Sequence, residues 1–300
     1  MPIDEIQNIC FVGAGTMGCF NSLVCAVAGY DVTLYDLSED TLNRVSKWQE
    51  QLGYAMIEKG EMTRETLESG LGRVSTATDP AEAAGNADLL SESVFERAPL
   101  KRAIHEQFDG LCPPKTIMTT NTSTLLVSQI EDVVSRGDRF AALHFHFMAT
   151  LVDIVPGPRT DPKIIDILQR FARSIGQIPI VSNRENKGYL HNAMLVDWLK
   201  SGIRLVAESI ADFRDVDRSW MIVHQDSGPF VVMDSVGLNV VFDILEGEYE
   251  ETGDEGLKKM VGLLRPYIER GELGMKSGKG FYSYPNPEFN KPGFLQGKQE

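Results

Sequence analysis

Ile9-Cys10-Phe11-Val12-Gly13-Ala14-Gly15-Thr16-Met17-Gly18 decides how this chain is read, together with Asp36, eighteen residues past the last of those glycines. An apolar run of strand length enters three glycines at the spacing G-x-G-x-x-G. In a strand–turn–helix unit the first glycine makes the tight turn, the second lets backbone approach a pyrophosphate, and the third lets the helix pack on the sheet. A helix opening at Thr16 offers unpaired N–H groups and a positive dipole end to phosphate. Met17, between the glycines, is placed to pack under the bound nucleotide. Small residues (Ser22, Ala26, Ala28) suit the helix, Gly29 closes it, and Asp31-Val32-Thr33-Leu34-Tyr35-Asp36 is a second strand. Asp36 then lies near the spacing, about 20 residues on, at which an acid takes ribose hydroxyls. Leu37-Ser38-Glu39-Asp40 holds no Arg or Lys for a 2′-phosphate, so the pattern favours NAD over NADP.

The same alternation of strand and helix runs on to about residue 181. Leu89–Val94, Thr116–Thr120, Phe140–Phe145, Val152–Val155 and Ile178–Val181 read as further strands, which predicts a parallel, doubly wound α/β sheet. Residues 37–72 carry a long helical pattern and read as a helical hairpin projecting from the sheet, able to cover a ligand. After Asn183-Arg184-Glu185-Asn186-Lys187-Gly188 the apolar residues recur at helical spacing: Leu190, Met194, Leu195, Leu199, Ile203, Val206, then Ile222, Phe230, Val240, Phe242 and Leu245. The expectation is a nucleotide-binding domain over 1–183 and an all-helical C-terminal domain over 184–300. The polar tail beyond Gly280-Phe281-Tyr282 is expected to be poorly ordered. No internal repeat is seen.

With 300 residues, 42% of them hydrophobic and 24% charged, the chain can bury two ordinary cores. A formal net charge of -14 argues against nucleic acid or an anionic membrane surface as partner. No apolar stretch reaches the ~18 residues of a membrane span, and Met1-Pro2-Ile3-Asp4-Glu5 lacks the basic, then apolar, start of a secretory signal, so a cytoplasmic location is expected. Cys10, Cys19, Cys25 and Cys112 have no metal-type spacing and are expected to be buried thiols, with neither disulfide nor zinc.

Reactive side chains gather in four other segments: Glu92 and Glu96 in ESVFER, Asn121-Thr122-Ser123-Thr124, His144 in LHFHF, and Asn192 in KGYLHN. The first three fall at strand C-termini, where ligands sit in open parallel sheets. In order and spacing the chain resembles the 3-hydroxyacyl-CoA dehydrogenase family, from GAGTMG through ESVFERAPLK, NTSTL, DRFAALHF, LVDIV, KGYLHN and SGPFVVMDSVGL to GMKSGKGFYSY. The resemblance implies a Rossmann domain followed by a helical, dimer-forming domain, hence a homodimer. It also implies that Ser123 hydrogen-bonds substrate, that His144 is the catalytic histidine, and that Asn192 reaches the substrate. Glu92, Lys101 and Asn121 match positions at the nicotinamide half of the cofactor. Where the family reads roughly HFFNP and then LVEV, this chain has HFHFMATLVDIV, which places Asp153 at the family's glutamate, one methylene shorter. The loss of the Asn-Pro turn alters the substrate pocket.

The chemistry follows independently. Oxidising a secondary alcohol removes a hydroxyl proton as hydride leaves the same carbon, and histidine is the side chain whose ordinary pKa suits that base near neutrality. Ser123 and Asn192 are donors able to polarise the carbonyl. What the resemblance implies for the substrate is interconversion of 3-hydroxyacyl and 3-oxoacyl groups, as a CoA thioester. A free 3-hydroxy acid or β-dicarbonyl substrate is the alternative, and a non-catalytic NAD-binding sensor is the rival from another class. Arg44, Lys47, Lys59, Arg64 and Arg73 are the cations a CoA nucleotide would use, and equally ordinary surface charges. Each site residue has a bland reading beside this one. His144 can be a core histidine, Ser123 the cap of a helix starting there, Asn192 an ordinary helix residue, and Glu92 with Glu96 a solvated edge. His144 and His146 share a strand face, but no third ligand accompanies them, so no metal is assigned. His105, His191 and His224 are taken as packing or surface residues.

Overall fold

The computed structural model describes residues 3–297; Met1, Pro2 and the last three residues of the tail lie outside the described residues. The chain divides into two compact units, Met1–Asn192 and Ala193–Glu300.

In the first unit, β1 (Asn8–Val12) leads into α1 (Thr16–Val27) and β2 (Asp31–Tyr35). Then come α2 (Glu39–Leu42), α3 (Val45–Glu58), α4 (Arg64–Leu71), β3 (Val74–Ala77), α5 (Pro80–Ala84), β4 (Leu89–Glu92) and α6 (Ala98–Asp109). β5 (Ile117–Thr120), β6 (Phe140–Phe145), β7 (Leu151–Pro156), α7 (Pro162–Ser174) and β8 (Ile178–Val181) complete it. The eight strands form one sheet in the order β3-β2-β1-β4-β5-β6-β7-β8. Period-2 alternation sends Ile9 and Phe11 into one core and Cys10 and Val12 into the other, so both faces of the sheet are covered. The four cysteines are free and buried.

Three features depart from the expectation. β6 and β7 pair antiparallel, whereas every other neighbouring pair is parallel. Residues 146–150 are too few for a helical crossover, and a short link returns the chain antiparallel. β3, only four residues long and on the sheet edge, was not expected at all. The third concerns the helices expected over 37–72: they form as α2, α3 and α4, and α3 and α4 also pack on each other and on α1. A Cβ on Gly70 would fall 2.5 Å from Val27 Cγ1, and one on Gly53 would fall 2.3 Å from Leu67 Cδ1, so glycine permits both close approaches.

The second unit holds most of α8 (His191–Ala207), then α9 (Phe213–His224), α10 (Pro229–Val236), α11 (Leu238–Thr252) and α12 (Glu255–Glu269). Its apolar core runs from Leu199 to Phe294. Two buried aspartates brace it. Asp217 accepts hydrogen bonds from Phe230 N, Val231 N and the Tyr282 hydroxyl at 2.8, 3.1 and 2.7 Å. Asp234 accepts from Phe281 N, Tyr282 N and the Tyr284 hydroxyl at 2.9, 2.9 and 3.0 Å. A Cβ on Gly280 would fall 2.0 Å from Asp234 Oδ1, which explains glycine ahead of Phe281 and Tyr282. The tail is ordered through Gly297, against expectation: Phe289 and Phe294 pack on Tyr282, and Arg218 Nε donates to Phe294 O at 2.6 Å. Among the described residues no helix is long and apolar enough to cross a membrane.

Candidate active site

β1 ends in the glycine loop at the point where the sheet order turns, between β1 and β4, which is where open α/β sheets bind ligands. Gly13 adopts φ +102°, and a Cβ there would fall 2.9 Å from Ser93 O. A Cβ on Gly18 would fall 1.8 Å from Gly13 O. These two glycines are demanded by the protein's own packing. Gly15 is different: a Cβ would meet nothing within 4 Å, and Gly15 is the N-cap of α1 with no side chain capping that helix. The first N–H groups of α1 therefore face open space, and that donor set fits a pyrophosphate. Gly15 and Thr16 are exposed and Met17 is half-buried. Asp36, at the end of β2, accepts from Ala14 N and Ser38 N, both at 2.9 Å, which ties it to the loop. A carboxylate so held keeps acceptor capacity for ribose hydroxyls.

Glu92, the last residue of β4, is fully buried. Its oxygens accept from Val94 N, Lys101 Nζ and the Thr120 hydroxyl, each at 2.7 Å, and His105 Nε2 lies 3.3 Å away. Burial pushes the Glu92 carboxyl up, but the His105 contact and the Lys101 charge outweigh it and bring it down to about 2. Lys101 also reaches Glu96 at 3.2 Å. Glu96 in turn gathers Thr122 Oγ1 together with the N–H groups of Ser123 and Thr124, the latter two at 2.9 Å. Glu92 is therefore no solvated edge and does not line the cavity, whereas Glu96 is exposed and lines it while its carboxylate holds this loop. No helix begins at Ser123; a single 3-10 turn follows at Val127–Gln129, so Ser123 is not its cap.

Beside the glycine loop lies a cavity of about 350 Å³, lined by Met17, Ser93, Val94, Glu96, Lys101, Asn121, Ser123, His144, Phe145, His146, Phe147 and Asn192. Asn121 Oδ1 accepts from Phe145 N at 2.8 Å, which fixes the amide. Ser123, His144 and Asn192 thus share one cavity with Met17, Lys101 and Asn121.

β6 and β7 place His144 directly across from Asp153. His144 Nδ1 lies 3.1 Å from Asp153 Oδ2, and His146 Nε2 lies 2.8 Å from the same oxygen. Burial pushes the Asp153 carboxyl up, but hydrogen bonds from the two imidazoles outweigh it and hold it at about 2. Burial also pulls the His144 imidazole below the ordinary histidine value; Asp153 opposes this and His146 adds to it. His144 is therefore neutral, and Asp153 ionised, near pH 7. A third group does accompany the histidine pair, against the sequence expectation: donor atoms of His144, His146 and Asp153 lie within 4.8 Å of one another. The nitrogens facing Asp153 are taken up by its carboxylate oxygen, so the cluster is a hydrogen-bonded one.

His146 lines the cavity; sequence reasoning missed its bond to Asp153, and it missed the part played by His105. His105 is a buried partner of Glu92, thirteen residues away in sequence, and no local pattern signals such a pair. His191 stands edge-on to His146 with ring centres 5.2 Å apart, and His224 stacks on Trp220.

A doubly wound sheet with an open phosphate loop, an acid at the end of β2 and a neutral, acid-paired histidine in the adjoining cavity define an NAD-dependent oxidoreductase acting on CH–OH groups. Residues 8–185 match the 3-hydroxyacyl-CoA dehydrogenase NAD binding domain and residues 188–284 match the C-terminal domain of the same family. The chain belongs to the 3-hydroxyacyl-CoA dehydrogenase family. It is 32% identical over 288 residues to the mitochondrial hydroxyacyl-coenzyme A dehydrogenase of Rattus norvegicus, covering 93% of this chain and 91% of that protein. A diketoreductase studied for dual catalysis of dicarbonyl compounds superposes with TM-score 0.86 at 32% identity, over 94% of this chain and all of that one. The (S)-3-hydroxybutyryl-CoA dehydrogenase PaaH1 of Ralstonia eutropha gives TM-score 0.84 at 26% identity, over 94% and 100%.

Proposed function

We propose that this protein interconverts a 3-hydroxyacyl-CoA and the 3-oxoacyl-CoA, with His144 as the base and Asp153 as its partner. The observation that carries the reading is the His144–Asp153 pair in a cavity continuous with the glycine-loop side of the sheet. Bound NAD supplies the hydride acceptor. With Nδ1–H donated to Asp153, Nε2 of His144 is the nitrogen that takes the hydroxyl proton; Asp153 stabilises the imidazolium that results. In the reductive direction the same imidazolium returns the proton. Ser123 and Asn192 donate to the substrate oxygen and polarise it. Lys101, held by Glu92 and Glu96, and Asn121, held by Phe145 N, face the nicotinamide half. Gly13, Gly15, Thr16, Met17 and Gly18 hold the pyrophosphate side, and Asp36 the ribose.

Of the cations proposed for the CoA nucleotide, Arg73 is already paired with Asp31 at 2.8 Å, which leaves Arg44, Lys47, Lys59 and Arg64. A free 3-hydroxy acid or β-dicarbonyl substrate is the second reading, favoured by Phe147: it stands where the family's turn would be, lines the cavity and packs edge-on to the buried Phe20 behind it. A homodimer formed through the second unit belongs to the same proposal, supported by the exposed apolar residues Met194, Ile210, Ile222 and Val223, as does a cytoplasmic location. The test is NADH oxidation with acetoacetyl-CoA beside acetoacetate and a β-diketo ester at equal concentration. Preference for the thioester upholds the first reading, and preference for either of the others replaces it with the second. In the same assay His144→Ala is expected to lose about 10²- to 10⁴-fold in kcat.

A further inference from the structure

We propose that His146 is a positioning residue for the His144 base: by donating to the oxygen that His144 also uses, it fixes the Asp153 carboxylate and keeps the His144 imidazole ready to accept a proton. The inference rests on the reading of His144 as base.

Asp153 has an uneven environment. Oδ2 faces His144 Nδ1 at 3.1 Å and His146 Nε2 at 2.8 Å, while Oδ1 is buried without a partner. One donor on a short carboxylate leaves it free to turn about its last bond and offer either oxygen. Two donors on the same oxygen, the second being the nearer, remove that freedom. His146 follows β6 directly, and its backbone N–H donates to Leu151 O at 3.3 Å, so its backbone is tied into the β6–β7 turn. The two imidazoles lie edge to face with centres 4.5 Å apart, and the His146 side chain is 14% exposed, so it shares the cavity's solvent access.

Position and charge act together. Two donors sharing one carboxylate oxygen each receive less of its charge than one alone would, and a cationic imidazole beside another opposes the second protonation. The other groups facing the pair are Glu96 and Lys101 across the cavity, Tyr189 with its ring 5.5 Å from His144, and His191 against His146. Of these, Glu96 favours charge on His144, and His146 and burial oppose it. Replacing His146 therefore strengthens the Asp153 hold on His144 and raises the pH at which His144 becomes neutral.

The experiment compares wild type, His146→Phe and His146→Gln. kcat for alcohol oxidation is followed against pH, KM for the cofactor is measured alongside, and imidazole titration is followed by ¹⁵N NMR in the protein without ligands. His146→Phe keeps a planar ring but no donor; it is expected to lower the kcat plateau about 10- to 100-fold with the cofactor KM unchanged. Gln retains an N–H donor without charge and is expected to recover about tenfold of that loss. In both variants the acid limb of kcat and the His144 NMR midpoint move to higher pH. A fall in kcat with neither the limb nor the midpoint displaced would mean that His146 only fills space, and the proposal fails. It fails equally if both variants match wild type. If the Phe variant does not fold, the limb and midpoint of the Gln variant decide alone. The base reading is judged separately: turnover of His144→Ala within a fewfold of wild type removes it, whereas an inactive His144→Ala with unshifted His146 variants removes only this proposal.

Discussion

His144 and Asp153 are direct cross-strand partners on the antiparallel β6–β7 pair, and this register lets a short acid reach the imidazole. Residues opposite one another in such a pair hold their Cβ atoms about 4.5–5.5 Å apart, a gap that an aspartate and a histidine span without help from a longer side chain.

Asp153→Asn should therefore cost about 10²- to 10³-fold in kcat, since the amide keeps the shape but loses the charge that stabilises the imidazolium. Asp153→Glu should also lose activity, about tenfold, because the extra methylene has no room at a residue only 1% exposed. Steady-state kinetics of both variants checks this, and Asn turnover within threefold of wild type would remove Asp153 from the mechanism.

Gly15→Ala and Gly18→Ala should separate binding from folding. The Gly15 methyl meets no protein atom, so this variant should melt within about 2 °C of wild type yet bind NADH about tenfold or more weakly, because the methyl stands where a pyrophosphate must approach. The Gly18 methyl would fall on Gly13 O, so that variant should be expressed poorly or melt well below wild type. Calorimetric melting with fluorescence titration of NADH distinguishes the two, and wild-type NADH affinity in Gly15→Ala would contradict the loop assignment.

Acid should weaken the first unit through Glu92 and Asp153. Both carboxyls are held at about 2 in the folded chain, below their ordinary 4.5 and 3.8. Stability from a depressed carboxyl is present above its unfolded value and is lost as pH falls through the folded one, so the loss runs from about pH 4.5 down to about 2. Glu92→Gln removes the nearer of two carboxylates from the buried Lys101, leaving Glu96 at 3.2 Å, and should cost about 1–3 kcal/mol at pH 7. Its deficit against wild type should narrow below pH 4.5, as seen in urea titrations at several pH values; a constant deficit would refute the linkage.

Asp217→Ala should destabilise the second unit by about 2–4 kcal/mol, because it strands three donors, Phe230 N, Val231 N and the Tyr282 hydroxyl, in a buried place. Hydrogen exchange read segment by segment would show faster exchange in α9 and α10, with the glycine loop unchanged.

Much of this was legible in the chain because the signals are local. The three glycines, the alternation in Ile9–Val12 and the spacing to Asp36 depend only on residues close in sequence, and each reappears as a feature of β1, α1 and β2. His144, Ser123 and Asn192 could be singled out only as an ordered set, and the fold gathers them in one cavity. What misled was equally physical. An apolar strand carries no mark of direction, so β7 was read as parallel although the short 146–150 link excludes it. A helical pattern does not say what it packs against, so the helices over 37–72 were legible while their contacts with α1, admitted by Gly70, were not.

By itself, then, the sequence determined the nucleotide-binding unit and the preference for NAD, since each follows from spacing along one element or one turn. Only the tertiary structure decided that His146 and His144 share one oxygen of Asp153, and that Glu92 is locked beneath the cavity by Lys101, His105 and Thr120. Those contacts join side chains from different strands and helices, and their distances are set by sheet register and helix packing, which no single stretch of chain encodes.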